Sequence, residues 1–183
     1  MDGTRPASFK AYDIRGRVPD ELNAEMAEQI GRCFAFLLKP SKLVVGHDIR
    51  LSSPELTEAL AAGLNQMGVD VLHLGLCGTE EIYFAASHLD VDGGIIVTAS
   101  HNPAEYNGMK LVRKGAVPVS GDTGLKDIEQ MALSGEKIPG ESKVSLSIFD
   151  IKADFVTHLL SYVNYDNLKP LKLVVNPGNG CAG

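Results

Sequence analysis

A serine and a histidine, Ser100-His101, follow the apolar run Gly94-Ile95-Ile96-Val97, and a lysine, Lys110, comes shortly after. These residue types can carry group-transfer chemistry: a hydroxyl to accept the group, an imidazole and an amine to move protons or hold charge. The apolar run reads as a buried strand, so the turn at its end is rigidly placed. Open α/β sheets bind their ligands at that end. Taken alone, Ser-His-Asn-Pro also reads as an ordinary turn, since Asn and Pro favour turns. A serine hydrolase fits poorly, because the G-x-S-x-G elbow is absent and no acid-then-histidine order follows. A serine near His101 and Lys110 suits instead a group with negative charge. Phosphate on a serine brings roughly −1.5 to −2 charges and calls for cationic neighbours.

The elements that must position this loop alternate in kind. The pattern predicts strands over 9–14, 42–45, 69–74 and 94–98, with a short returning strand over 110–112. Helices are predicted over 20–38, 53–67, 79–88 and 124–133. Pro40 stops the first helix, Ser52 or Ser53 caps the second, and Gly68 closes it. Strands separated by helices imply a layered α/β sheet. Residues 134–143, rich in Gly, Pro and charge, read as a linker between a first domain, 1–143, and the truncated beginning of a second, 144–183. Within the latter, 149–163 reads as a helix and 171–175 as a strand.

Composition narrows the class. Hydrophobic residues make up 44% and charged residues 22%, as in soluble globular domains. The net charge of −6 argues against a nucleic-acid surface while leaving room for a local basic pocket. The three cysteines, Cys33, Cys77 and Cys181, are scattered without a C-x-x-C pair, so neither a disulfide framework nor a zinc site is expected. No apolar run has the form of a signal peptide or a membrane span, and a cytoplasmic protein without membrane partners is expected.

Several motifs together carry a family resemblance. Thr98-Ala99-Ser100-His101-Asn102-Pro103, followed by Tyr106-Asn107-Gly108-Met109-Lys110, resembles the active-site serine loop of the α-D-phosphohexomutases. Lys10-Ala11-Tyr12-Asp13-Ile14-Arg15-Gly16 is similar to that family's N-terminal motif, and Gly46-His47-Asp48-Ile49-Arg50-Leu51-Ser52 to its G-x-D-x-R-x-S motif. The region 110–125, with Val119-Ser120-Gly121-Asp122-Thr123-Gly124, most resembles the bacterial phosphomannomutase branch.

The resemblance implies a three-layer α/β/α mixed sheet, the family's first domain, followed by the start of a similar second one. It implies that Ser100 carries phosphate to and from a hexose phosphate through a bound hexose bisphosphate. The sugar would be mannose, with glucose the alternative. Arg15 would offer a forked donor to phosphate, Lys110 would move the sugar hydroxyl proton, and His101 would share that work or hold the phosphate. Tyr12 and Asn102 would support the substrate. Phosphoglucomutase or phosphoglucosamine mutase activity is the runner-up, and a non-catalytic phosphosugar-binding fragment the competing class. The family's Mg²⁺ is implied too, with Ser100 a ligand through its phosphate. Its carboxylate loop, sugar-recognition loop and phosphate clamp belong to C-terminal domains outside this chain, so the chain is expected to be inactive alone.

Other features are set aside. Asp90-Val91-Asp92-Gly93-Gly94 precedes its strand and should lie at the sheet edge away from Ser100. Gly178-Asn179-Gly180-Cys181-Ala182-Gly183 spells G-x-G-x-x-G but lacks the helix and acidic residue a dinucleotide site needs. Asp48 and Arg50 read as structural, pairing near the loop. His47, His73, His88 and His158 read as residues without clustered partners.

Overall fold

The computed structural model describes residues 8–135, 138–140 and 145–176. Strand β1 (Ile14–Arg17) precedes α1 (Ala24–Leu38), β2 (Lys42–His47), α2 (Ser53–Gln66), β3 (Asp70–Leu76) and α3 (Thr79–His88). Then come β4 (Gly93–Val97), β5 (Tyr106–Arg113), the short β6 (Val117–Pro118), α4 (Leu125–Ser134), β7 (Leu146–Ile148) and α5 (Lys152–Leu160). Among the described residues the strands form one seven-stranded sheet in the order β1-β5-β4-β2-β3-β7, with β6 beside β5. Strands β4, β2, β3 and β7 are parallel, whereas β5 runs antiparallel to β4 and β1. The sheet is mixed because only the serine loop joins β4 to β5, and a parallel pair would need a long crossover.

Side-chain alternation splits the core into two layers. Leu43, Val45, Ile95, Val97, Met109 and Leu111 pack with α1, α2 and α4, while Val44, Ile96 and Val112 pack with α3 and α5. The expected three-layer α/β/α arrangement is therefore present. In the larger layer, burial pushes the Cys33 thiol up to about 11, which leaves it inert.

Helices α1 and α2 approach closely at two glycines. A Cβ on Gly63 would stand 2.0 Å from the Glu28 carbonyl oxygen, and one on Gly31 would stand 2.4 Å from that of Leu60. Gly63→Ala is expected to push the helices apart and lower stability by about 1–3 kcal/mol. A urea midpoint that falls at constant m would show this. An unmoved midpoint would refute it.

Several elements differ from expectation. The first strand begins at Ile14 rather than Phe9, because pairing starts where β5 places Met109 opposite Ile14. Phe9 makes only an isolated bridge to Ile14. The intervening polar residues turn, with the Lys10 N–H donating to the Asp13 carbonyl at 2.8 Å. Arg15 consequently lies within the strand, not at its end. Helix α1 starts at Ala24 because the Asn23 side chain caps it, accepting from the Met26 N–H at 2.9 Å. The returning strand is longer than 110–112: it pairs with β1 from Tyr106 to Met109 and with β4 from Met109 to Arg113.

The 134–143 stretch is no free linker where it is described. Ile138 is buried in the larger layer, and a Cβ on Gly140 would sit 2.2 Å from the Gln66 carbonyl oxygen. β7 was not expected; it adds to the sheet beside β3. The C-terminal helix is shorter than 149–163. Residues 171–175 form no strand: Leu171, Leu173, Val174 and Val175 are exposed, with no neighbouring strand to pair with among the described residues. The 178–183 glycine motif and Cys181 lie outside the described residues. Among the described residues, no helix is long and apolar enough to cross a membrane.

Candidate active site

β4 is buried along its whole length and delivers the chain to an exposed Ser100. The Thr98 N–H donates to the Gly108 carbonyl at 2.9 Å, extending the contact between β4 and β5 to the edge of the loop. Ser100 then adopts φ +54°, a left-handed conformation uncommon for a residue with a side chain. Its N–H donates to Thr98 Oγ1 at 3.0 Å, and its Oγ lies 3.2 Å from His101 Nδ1. Such conformations persist only where the surroundings enforce them.

Those surroundings come from β2, α2 and β5. The Asp48 carboxylate accepts from Thr98 Oγ1 at 2.7 Å, from Ser53 Oγ at 2.6 Å and from the Arg50 N–H at 3.0 Å, and pairs with Arg50 Nε at 3.4 Å. The buried Asn107 amide donates to Ser52 Oγ and Ser53 Oγ, both at 2.9 Å, and its oxygen accepts from the Gly108 N–H at 2.8 Å. Ser52 occupies the N-cap position of α2 without capping through its side chain. The two serine hydroxyls tie α2 to β5 instead.

A cationic cluster lies alongside. Register sets Lys110 opposite Ile96, and Arg15 opposite Gly108, on the α3 side of the sheet. Arg15 Nη2 is 3.1 Å from Asp13 Oδ2, and Lys110 Nζ is 3.3 Å from the same oxygen. Arg15 Nη1 donates to the Thr98 carbonyl, two residues before the serine. Glycine at 108 is what admits Arg15: a Cβ there would stand 2.0 Å from the Ile14 carbonyl oxygen and 3.1 Å from Arg15 Cδ.

Asp13 is the residue that sequence reasoning missed. Its place two residues before Arg15 hinted at a shared role, but its other partner is 97 positions away. Burial pushes the nearby Tyr83 phenol up, with the Glu80 and Asp13 carboxylates adding to the effect. Tyr12 is 75% exposed and stands outside these contacts, whereas Asn102 lies in the serine loop and donates its N–H to the Ala99 carbonyl at 3.0 Å.

The serine loop lines a groove of about 930 Å³, with Arg50, Ser52, Gly78 and Thr98 among its walls. The loop with Asp90 and Asp92 lies elsewhere, as expected. Asp92 Oδ2 accepts from the Ser41 and Lys42 N–H groups at 2.7 and 3.2 Å, at the entry to β2. The histidines are less isolated than the sequence implied. The His47 and His73 rings meet edge-on at 5.9 Å, and burial, then His47, lowers the pKa of His73. His88 and His158 lie against Phe84 at 4.6 and 4.8 Å. Among the described residues, no group of three or more His, Cys, Asp or Glu is arranged to hold a metal ion.

Comparison with known proteins gives these features a lineage. Residues 6–138 match the family model described as phosphoglucomutase/phosphomannomutase, alpha/beta/alpha domain I. The chain is 56% identical over 177 residues to a phosphomannomutase of Salmonella montevideo, covering 96% of this chain and 39% of that protein. It is 55% identical over 180 residues to the phosphohexose mutases of Xanthomonas campestris pv. campestris (strain B100), covering 98% and 40%. A crystal structure of a phosphoglucomutase/phosphomannomutase family protein from Burkholderia thailandensis superposes with a TM-score of 0.75 at 35% identity, covering 85% of this chain and 36% of that one. The chain thus spans about 40% of the length of the curated relatives it matches. With the fold, the serine loop and the family match in agreement over the same residues, the chain belongs to the phosphoglucomutase/phosphomannomutase family.

Proposed function

We propose that this chain is the phosphate-carrying portion of a phosphomannomutase that interconverts mannose 6-phosphate and mannose 1-phosphate. Phosphate borne on Ser100 Oγ passes to a hydroxyl of the hexose phosphate. The new O–P bond forms as the Oγ–P bond breaks; the hydroxyl proton leaves to Lys110 while the departing Ser100 Oγ takes one from His101. The resulting hexose bisphosphate turns round and returns its other phosphate to Ser100. Such transfer depends mainly on positioning and charge compensation. The single observation that carries the reading is the serine itself. Ser100 is exposed just beyond a fully buried strand, and the Thr98 carbonyl that follows the strand is held by Arg15, next to Asp13 and Lys110. His101 would assist through its 3.2 Å approach to Oγ, and Asn102 and Tyr12 would contact the sugar phosphate.

The residues present do not by themselves fit Mg²⁺. A hard cation takes about six or more oxygen ligands, and the carboxylate next to the loop, Asp48, is fully engaged by Thr98, Ser53 and Arg50. The remaining ligands, and the sugar-selecting groups, are assigned to the C-terminal portion that the relatives carry. A division near residue 143 belongs to the same proposal, with β7 and α5 docked back on the first sheet. So does a cytoplasmic location.

The test compares this chain with the chain extended by that C-terminal portion, both incubated with a hexose bisphosphate. Mutase turnover is expected only from the extended protein, with intact-mass analysis placing one phosphate on Ser100. Robust turnover by the 183-residue chain would overturn the expectation that it is inactive alone. An extended protein that never acquires phosphate on Ser100 would overturn the functional reading.

A further inference from the structure

We infer that Arg50 is a positioning residue for phosphoryl transfer, fixing Ser100 in its left-handed conformation by gripping the serine loop from beneath. The inference rests on the functional reading above. Arg50 Nη2 donates to the Ser100 carbonyl at 3.0 Å and the Asn102 carbonyl at 2.6 Å, and Nη1 to the Pro103 and Tyr106 carbonyls at 2.7 and 2.9 Å. Nε faces Asp48 Oδ2 at 3.4 Å. Both Nη groups thus donate two hydrogen bonds each while Nε is ion-paired with Asp48, and the side chain is only 14% exposed.

Two consequences follow from this geometry. The fork has no donor left for a substrate phosphate, so Arg50 acts through the loop rather than on the reacting atoms. The loop, meanwhile, has few other restraints. The Asn102 and Tyr106 N–H groups bond within it, to the Ala99 and Pro103 carbonyls, both at 3.0 Å. Before Tyr106, where pairing with β1 begins, the ties from outside among the described residues include the Ser100 N–H on Thr98 Oγ1 and the Val18 N–H on the Glu105 carbonyl at 2.8 Å, but the largest set is that of Arg50. Asp48 completes the device by binding Arg50 and Thr98 Oγ1 with the same carboxylate oxygen, so the clamp and the end of β4 move as one unit. A lysine would keep the charge but could not reproduce the planar fork.

The experiment uses the extended, mutase-competent protein and the variants Arg50→Lys, Arg50→Ala and Ser100→Ala. Small misplacements of reacting groups cost about 10²-fold in rate, and both Arg50 variants are expected to lose about that much in kcat with KM little changed. Millimolar guanidinium should raise kcat of Arg50→Ala several-fold and leave Ser100→Ala unaffected, a response that a merely structural role would not produce. The inference is overturned if Arg50→Lys keeps kcat within about twofold of wild type. It is equally overturned if the loss in Arg50→Ala tracks the folded fraction and guanidinium restores nothing. A wild-type protein without mutase activity overturns the functional reading itself, and this inference with it. Wild-type activity with an unimpaired Arg50→Lys overturns the inference alone.

Discussion

Ser100→Ala in the extended protein is expected to abolish phosphate uptake and lower mutase kcat by at least about 10³-fold, as loss of a covalent nucleophile does. The hydroxyls next to the loop are engaged elsewhere. Thr98 Oγ1 is committed to Asp48 at 2.7 Å, and the Ser52 and Ser53 hydroxyls are held by Asn107 at the start of α2. Stability should hardly change, because the Ser100 side chain is exposed and alanine, like serine, carries one unbranched Cβ at φ +54°. Ser100→Thr should behave differently. It keeps a hydroxyl but places a β-branched residue at φ +54°, where branching is strongly disfavoured. Its expected signature is a partial loss of kcat together with about 1–3 kcal/mol of lost stability or a displaced loop. Mutase assays, intact-mass analysis and thermal melts of the two variants separate these outcomes. An alanine variant retaining kcat within about tenfold of wild type would refute the assignment of Ser100 as phosphate carrier.

What was legible in the sequence was local. The apolar runs of β2 and β4, the stop at Pro40 and the left-handed Gly68 follow from neighbouring residues alone, and they place the serine loop correctly. What was missed depends on partners far along the chain. The start of β1 is set by its register with β5, and β7 by an open edge of β3. Neither register is written in a local period. The same holds at the site. Arg50 is legible as a structural partner of Asp48 near the loop, but its hold on carbonyls 50 to 56 positions later is not, and Asp13 gains its role only where Lys110, 97 positions away, reaches it. The failed strand at 171–175 is the converse: its β-branched, apolar composition is right for a strand, but the described residues offer it no neighbour.

Lys110 is the residue for which structure and expectation pull in different directions, and its substitution should have the second-largest effect. As a proton carrier it must take the hydroxyl proton of the sugar. Yet the group that meets its Nζ is the Asp13 carboxylate at 3.3 Å, with Arg15 at 3.1 Å from the same oxygen. Two cations on one carboxylate leave a net positive charge beside the Thr98 carbonyl, which favours a dianionic phosphate on Ser100. Both roles predict that Lys110→Met loses about 10²–10⁴-fold in kcat, the range for a positioned acid–base group. They diverge for Lys110→Arg. A guanidinium keeps the charge but does not release its proton, so proton transfer through Lys110 requires the arginine variant to stay nearly as impaired as the methionine one. Recovery by Lys110→Arg to within about tenfold of wild type would refute the proton role. It would leave Lys110 as part of the cationic cradle that Asp13 holds in register with Arg15.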